Sequence, residues 1–249
     1  MDSTKNFDGL ATEYAVGRPT YAKAFIEDLY SRFGFSERSI IADIGSGTGK
    51  FALQLLEKGS FVYCVEPNDD MRSTAINELG AFEKFYAVKG TDKKTNIPEN
   101  AVDFITTAQA FHWFDVVAFQ KECKRILKQG GLVFLIWNLR DMSDEMNRKC
   151  FEIYSEYCPR FKGFGGGIRK DDIRIRQFFE GDYECLEYDN PLYYDKETFI
   201  SRSLSGSYSL QEGDADFSKY VEALLRLFDA YAKDGVLHMA NKTVVYVGK

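Results

Sequence analysis

The sequence predicts an α/β fold in which a parallel sheet is covered by helices on both faces. Five short apolar runs alternate with helix-like segments over about 100 residues, an order typical of such sheets. The runs are apolar throughout rather than alternating, as expected of strands buried on both faces. A glycine-rich turn, "GSGTG", follows the first run directly. The chain of 249 residues is long enough for one large domain of this class.

The first half of the chain gives the elements in order. Phe25, Leu29 and Phe33 recur at intervals of four and predict a helix. "IIADI" is the first predicted strand, and "FALQLLEKG" is a helix that Gly59 ends. "FVYCVE" is the second strand, and Asn68 can cap the helix "NDDMRSTAINELG" that follows it. "FEKFYAVKG" and "AVDFITTA" are the third and fourth strands.

The second half has fewer strands and longer helices. Asp115 can begin the helix "DVVAFQKECKRILKQGG" and Gly130 can end it, before a fifth strand "LVFLIWN". "DMSDEMNRKCFEIYSEY" and "SKYVEALLRLFDAYAKDG" are helical, "ECLEYDNPLYYD" alternates like a strand, and "KTVVYVGK" is a final strand. No change of composition marks a linker, so we expect one domain with insertions.

Charge and composition exclude several classes of function. The net charge is −6, and no run of five or six basic residues occurs, which argues against a nucleic-acid partner. No 18 apolar residues follow one another and the first residues are too polar for a signal peptide, so we expect neither a membrane partner nor export. Two histidines and no C-x-x-C pair predict no metal site. Five cysteines predict reduced thiols and a cytoplasmic location: Cys64, Cys123, Cys150, Cys158 and Cys185.

The glycine spacing separates three kinds of nucleotide site. A P-loop requires glycine where Ile44 stands and a hydroxyl where Phe51 stands, so that interpretation fails. A dinucleotide fingerprint requires a third glycine where Lys50 stands, which weakens that interpretation. The pattern present is D-x-G-x-G-x-G over residues 43–49, with Glu66 at the end of the second strand, 17 residues past Gly49.

These motifs together resemble the class I SAM-dependent methyltransferases (SAM is S-adenosylmethionine). The block "AQAFHWF" after the fourth strand and the start "FDGLATEYAVGRPTY" are similar to those of trans-aconitate methyltransferase-like small-molecule methyltransferases. The resemblance implies a three-layer Rossmann-like fold with a seven-stranded sheet. Its strand order would be 3-2-1-4-5-7-6, with strand 7 antiparallel, and helical lid insertions would shape the substrate pocket.

The resemblance also implies one methyltransferase domain over residues 1–249. Within it we expect cap helices in 1–35, a SAM-binding core in 36–138, substrate-shaping insertions around strand 6 in 139–235, and a closing strand in 236–249. The implied function is methyl transfer from SAM to a small-molecule acceptor, with a carboxylate as one acceptor class. An NAD(P)-dependent oxidoreductase and a non-catalytic SAM-binding protein remain as alternatives.

Site residues are carried over by position in the motifs. Glu66 would accept both ribose hydroxyls, and Asp92 either reads the adenine amine or is an exposed loop acid. His112 is either a general base or, with Trp113, part of a packing wedge. Trp113 and Tyr208 are the expected substrate contacts. The expected cofactor contacts are Tyr14, Arg18, Asp43, Gly45, Gly47, Gly49, Glu66, Met71, Thr91, Asp92, Thr107, Ala108 and Gln109.

Overall fold

A computed structural model of the chain describes residues 19–164, 172–206 and 208–249. The described residues fall into two compact units. The first contains residues 19–137, 172–188 and 243–249, and the second contains residues 138–164, 189–206 and 208–242.

Seven of the strands form one sheet in the order β3-β2-β1-β4-β5-β9-β6, which confirms the predicted order. The other two, β7 and β8, pair with each other antiparallel in the second unit. The strands are β1 Ile40–Ile44, β2 Phe61–Val65, β3 Phe85–Val88, β4 Val102–Ala108, β5 Leu127–Arg140, β6 Tyr183–Asp189, β7 Leu192–Tyr194, β8 Leu237–Met239 and β9 Asn241–Gly248.

The register of the sheet places the candidate site. β1 pairs in parallel with both β2 and β4, so that Asp43 lies beside Cys64 on one side and Thr106 on the other. The pairs β2–β3 and β4–β5 are also parallel. The carboxyl ends of five neighbouring strands therefore meet at one edge, where ligands of open α/β sheets bind.

Helices follow the strands, and several begin at a residue whose side chain accepts a hydrogen bond from the first turn. Asn68 and Asp115 do so as predicted, with Oδ1 of each accepting from the backbone three residues on, at 2.9 and 3.1 Å. The helices are α1 Lys23–Ser31, α2 Lys50–Glu57, α3 Asp69–Leu79, α4 Val116–Ile126, α5 Glu145–Tyr157, α6 Ile173–Phe178, α7 Lys196–Leu204 and α8 Phe217–Tyr231. A short 3₁₀ turn covers Phe111–Trp113.

An aromatic core holds α1 and α2 against the sheet in the first unit. Phe25 and Leu29 are buried there, as the periodicity of the first helix predicts, and Phe51 and Phe134 pack in the same core. The rings of Phe35 and Phe104 stack with centroids 3.9 Å apart. This packing fixes the strand ends that carry the candidate site.

Two predicted boundaries are wrong. The helix that was expected to reach Gly130 ends at Ile126, because Leu127 is already extended and begins β5. The stretch "ECLEYDNPLYYD" is not one strand: β6 lies in the large sheet, and β7 pairs with β8. Pro191 stands between the two, and proline has no N–H with which to continue a ladder.

The second unit has its own core. The buried rings of Tyr154, Phe199, Tyr220 and Phe228 pack together with aliphatic residues of α5, α7, α8 and β8. Throughout both units, none of the described helices combines the length and the apolar character that crossing a membrane would need.

Candidate functional site

The turn after β1 is built from left-handed glycines. Gly45, Gly47 and Gly49 have φ angles of 71°, 57° and 80°, a region that residues with a Cβ rarely adopt. The amide of Gly45 donates to the Val65 carbonyl at 2.8 Å, so the turn is anchored to the end of β2. Gly49 then begins α2.

The three glycines are needed for different reasons. A Cβ at Gly45 would lie 2.6 Å from the Ala110 Cβ, and a Cβ at Gly49 would collide with the Leu79 side chain. Both positions therefore require glycine for packing within this chain. Nothing described lies within 4 Å of a Cβ placed on Gly47, so this glycine alone faces open space. The open side of Gly47 is the place where a ligand could approach the backbone.

Glu66 connects this turn to the end of β2. The residue is only 8% exposed, and its Oε2 accepts from the Gly47 amide while Oε1 accepts from the Asn68 amide, both at 2.9 Å. Burial raises the pKa of Glu66, and these two amides and Arg72 offset part of that rise. The carboxylate is thus held in one orientation beside the open face of Gly47.

Asp43 lies beneath the turn and is fully buried. Its Oδ1 accepts from the Thr106 hydroxyl at 2.9 Å, and among the described residues its Oδ2 has no hydrogen-bond partner. Burial raises the pKa of Asp43 to about 7; the charge of Glu66 adds to the rise, and Thr106 opposes it. An acceptor oxygen of this kind marks room for one more donor below the glycine turn.

The loop after β3 is tied to the start of α4. Asp92 Oδ2 accepts from the Asp115 amide at 3.0 Å, and burial raises the pKa of Asp92. Thr91 Oγ1 accepts from the amides of Lys93 and Lys94 at 3.2 Å. Asp92 therefore already has a structural role, with part of its carboxylate still available to a ligand.

The end of β4 contributes the other expected cofactor contacts. Thr107 is fully buried, and its Oγ1 has no hydrogen-bond partner among the described residues. Ala108 is partly buried and ends the strand. Gln109 adopts a left-handed φ of 58° and donates its amide to the Ile136 carbonyl at 2.9 Å. This strained non-glycine residue turns the chain sharply toward the 3₁₀ turn that follows.

That turn carries the candidate base. His112 is partly buried, and its ring lies 4.9 Å from that of Trp113, which is 50% exposed. The His112 carbonyl accepts from Arg174 Nη1 at 3.3 Å, and Arg174 in turn forms an ion pair with Asp172 at 2.7 Å. Arg174 therefore links the start of α6 to the segment that contains His112.

The remaining predicted residues lie elsewhere or outside the described part of the chain. Met71 is buried in the first turn of α3. Tyr208 lies in the second unit, where its ring packs on Tyr154 and Phe161 with centroids 5.4 and 4.9 Å away. Tyr14 and Arg18 fall outside the described residues.

Sequence reasoning missed two contributors. Ala110 is the residue that obliges position 45 to be glycine, and nothing in its sequence context marks it. Arg174 reaches His112 across 62 positions, a separation that no local pattern reveals. Within the described ranges, no cluster of three or more His, Cys, Asp or Glu side chains is arranged to hold a metal ion.

The region around the site is similar to known methyltransferases. Residues 42–135 match the family described as "Methyltransferase domain". An uncharacterised methyltransferase of Mycobacterium tuberculosis is 33% identical over 140 residues, which are 56% of this chain and 55% of the relative. The match therefore spans about half the length of each protein.

Solved structures share the fold over nearly the whole chain. A protein from Anaeromyxobacter dehalogenans described as a type II methyltransferase has a TM-score of 0.65 at 18% identity, covering 93% of this chain and 97% of that one. Geranyl diphosphate C-methyltransferase from Streptomyces coelicolor, solved with S-adenosyl-L-homocysteine, has a TM-score of 0.50 at 16% identity, with 90% and 78% covered. At such identities the likeness concerns the fold.

Proposed function

We propose that this chain, which carries a methyltransferase domain of the class I SAM-dependent superfamily, transfers the methyl group of SAM to a small molecule. The observation that carries the proposal is the Glu66 carboxylate, oriented by the Gly47 amide at 2.9 Å beside the glycine of this turn that faces open space. A fixed carboxylate next to an accessible turn suits the two adjacent hydroxyls of a ribose.

The remaining contacts follow from the same edge of the sheet. Glu66 would hold the ribose, and the open face of Gly47 would accommodate the part of the cofactor nearest the turn. Asp92, with Thr91 beside it, would accept a hydrogen bond from the adenine amine. Asp43 Oδ2 and Thr107 Oγ1, which have no hydrogen-bond partner among the described residues, would be acceptors below the turn. Met71 would support the adenine side by packing. Gly45, Gly49, Ala108 and Gln109 would shape the backbone around it.

The chemistry places few demands on this chain. When bound, SAM supplies an electrophilic methyl group on a sulfonium, whose sulfur leaves as a neutral thioether. Holding the acceptor in line with that group lowers the activation barrier, by roughly 7–11 kcal/mol in well-oriented systems. His112 would accept a proton from a hydroxyl or amine acceptor, and Trp113 would form a wall of its pocket. A carboxylate acceptor is already ionised and needs no base.

The acceptor that we favour is a small organic molecule, with acids included. The similarity of "AQAFHWF" to trans-aconitate methyltransferase-like enzymes supports this choice. The acidic net charge supports the absence of a nucleic-acid partner. None of the five cysteines forms a disulfide, which supports a cytoplasmic location.

Calorimetric titration with S-adenosylhomocysteine tests the proposal, with NAD and NADP as comparators. We expect micromolar binding of S-adenosylhomocysteine alone, weakened about 10–100-fold in Glu66→Gln because a charged hydrogen bond is lost. Glu78→Gln, an exposed glutamate of α3, is the matched control and should bind like the wild type. Binding of NAD instead, or binding that Glu66→Gln leaves unchanged, would contradict the proposal.

A further inference from the structure

An arginine at the end of β5 lacks the partner that a buried cation usually has. Arg140 lies in the second unit and is partly buried. Its Nη1 donates to the Cys150 Sγ at 2.9 Å. Among the described residues it takes part in no ion pair, and the neighbouring acid, Asp141, pairs instead with Lys242 at 3.4 Å. A charge in such a position is costly unless an anion accompanies it.

The surroundings of Arg140 leave its hydrogen-bond donors available. The guanidinium carbon lies 4.0 Å from the ring centroid of Phe164 and 5.8 Å from that of Tyr154, so two aromatic rings are close to the cation. A guanidinium has five N–H groups in its plane, and among the described residues the Cys150 sulfur is the one acceptor that Arg140 contacts. The planar fork that remains matches the two oxygens of a carboxylate.

Aromatic side chains form the walls beside this fork. Tyr208 packs edge-on against Tyr154 and contacts Phe161, and its hydroxyl has no hydrogen bond among the described residues. Arg140, Phe164 and Tyr208 each keep part of their surface exposed, so a ligand in solution can reach them. Burial lowers the pKa of Arg140, but Cys150, Tyr154 and Tyr208 outweigh it, so the group remains a cation.

We infer that Arg140, with the rings of Tyr154, Phe164 and Tyr208, binds the carboxylate of a small organic acid that has a flat apolar body. The cation supplies the charge and the fork, and the rings supply the apolar contact. The inference goes beyond the proposed function, because it rests on contacts within the second unit alone. It gives Tyr208 a ligand contact, through a partner, Arg140, that the sequence did not indicate.

Titrations of the full chain, saturated with S-adenosylhomocysteine, test the inference. Benzoate and cinnamate are the probes, and benzamide and cinnamamide are their uncharged counterparts. We expect each acid to bind at least about tenfold more tightly than its amide. Arg140→Gln should remove that preference, and Arg140→Lys should retain part of it. Arg226→Gln, which breaks only the exposed pair with Glu222, should keep it fully.

The outcomes separate this inference from the proposed function. Equal binding of acids and amides, absence of binding by both acids, or an acid preference that survives in Arg140→Gln would overturn the carboxylate site. Failure of the wild type to bind S-adenosylhomocysteine would instead contradict the proposed function. Should Arg140→Gln not fold, Tyr208→Phe provides the second variant. A severalfold loss of affinity for benzoate there supports the site, and unchanged affinity speaks against it.

Discussion

At the scale of single residues, the glycine turn shows how one motif serves two purposes. Gly45 and Gly49 are glycines because Ala110 and Leu79 occupy the space of their side chains, whereas Gly47 faces nothing within 4 Å. The sequence identifies all three equally, since spacing alone does not reveal what lies opposite each. Only the structure separates the glycine that leaves room for a ligand from the two that the fold itself requires.

Substitution of Gly47 by alanine should therefore affect binding far more than folding. Because the backbone is left-handed, the added Cβ should cost about 1–2 kcal/mol of stability. The methyl group would also occupy the open space, and we expect the affinity for S-adenosylhomocysteine to fall at least about tenfold. Gly34→Ala is the matched control, because Gly34 also has a positive φ, 78°, with nothing within 4 Å. Calorimetry and urea unfolding of both variants should show similar stability losses and a binding loss only at Gly47.

Asp43 gives a pH dependence whose sign follows from its burial. Its pKa of about 7 in the folded chain lies above the ordinary value near 3.9 of the unfolded chain. The folded state therefore binds the extra proton, so this group favours folding as pH falls from 7 toward 4, and the contribution is lost as pH rises through 7. Asp43→Asn keeps the acceptor for Thr106 without the charge.

Urea unfolding of the wild type and of Asp43→Asn at pH 5 and pH 8 measures this contribution. Relative to the wild type, we expect Asp43→Asn to gain about 2–3 kcal/mol of stability between the two pH values. If the free energies of unfolding of the variant and the wild type differ by the same amount at both pH values, the carboxyl of Asp43 titrates at its ordinary pKa.

At the scale of elements, a partly buried ion pair between Glu122 and Arg125 stabilises the loop that follows β3. Glu122 of α4 accepts from Arg125 at 2.7 Å and from the amide and hydroxyl of Thr95 at 2.8 and 2.6 Å. Burial raises the pKa of Glu122, but these hydrogen bonds outweigh burial and lower the pKa to about 2. The helix thereby fixes the end of the loop that begins with Thr91 and Asp92.

Removal of this charge should weaken that element in an acid-dependent way. The stabilising effect of Glu122 is complete above pH 4.5 and is lost as pH falls toward 2. We expect Glu122→Gln to lower the free energy of unfolding by about 2 kcal/mol at pH 7, and by progressively less below pH 4. Denaturant midpoints across this range give the measurement, with exposed Glu78→Gln as the comparison. A loss that is constant with pH would contradict the assigned ion pair.

The sequence predicts most helices and strands correctly, but it predicts the residues at which they end less well. Helix caps such as Asn68 and Asp115 bond to amides only three residues further on, so the local sequence is enough to predict them. The end of α4 was misplaced because Leu127 becomes extended by pairing with Val102 of β4, a contact between distant residues. The same limit applies to the site: Glu66 and the glycines are local signals, while the contact from Arg174 to His112 is made by tertiary structure.

At the scale of the whole molecule, the cysteines report on the folded state. Cys64, Cys123, Cys150 and Cys158 are buried, whereas Cys185 is partly exposed, and none of the five forms a disulfide. We expect an aromatic disulfide reagent to modify at most Cys185 quickly in the native protein and all five thiols after unfolding in urea. Rapid native modification of further thiols would show that one of the cores opens readily.

The position of β9 in the sheet also bears on how the chain folds. Residues 241–248 enter between β5 and β6, although β5 ends 101 positions earlier, at Arg140. Closing so long a loop is entropically expensive, and folding rates fall as contacts become less local. We therefore expect the interior of the sheet to be completed late. Until then the edges of β5 and β6 stay unpaired, which makes partly folded chains prone to self-association and gives chaperones a surface to bind.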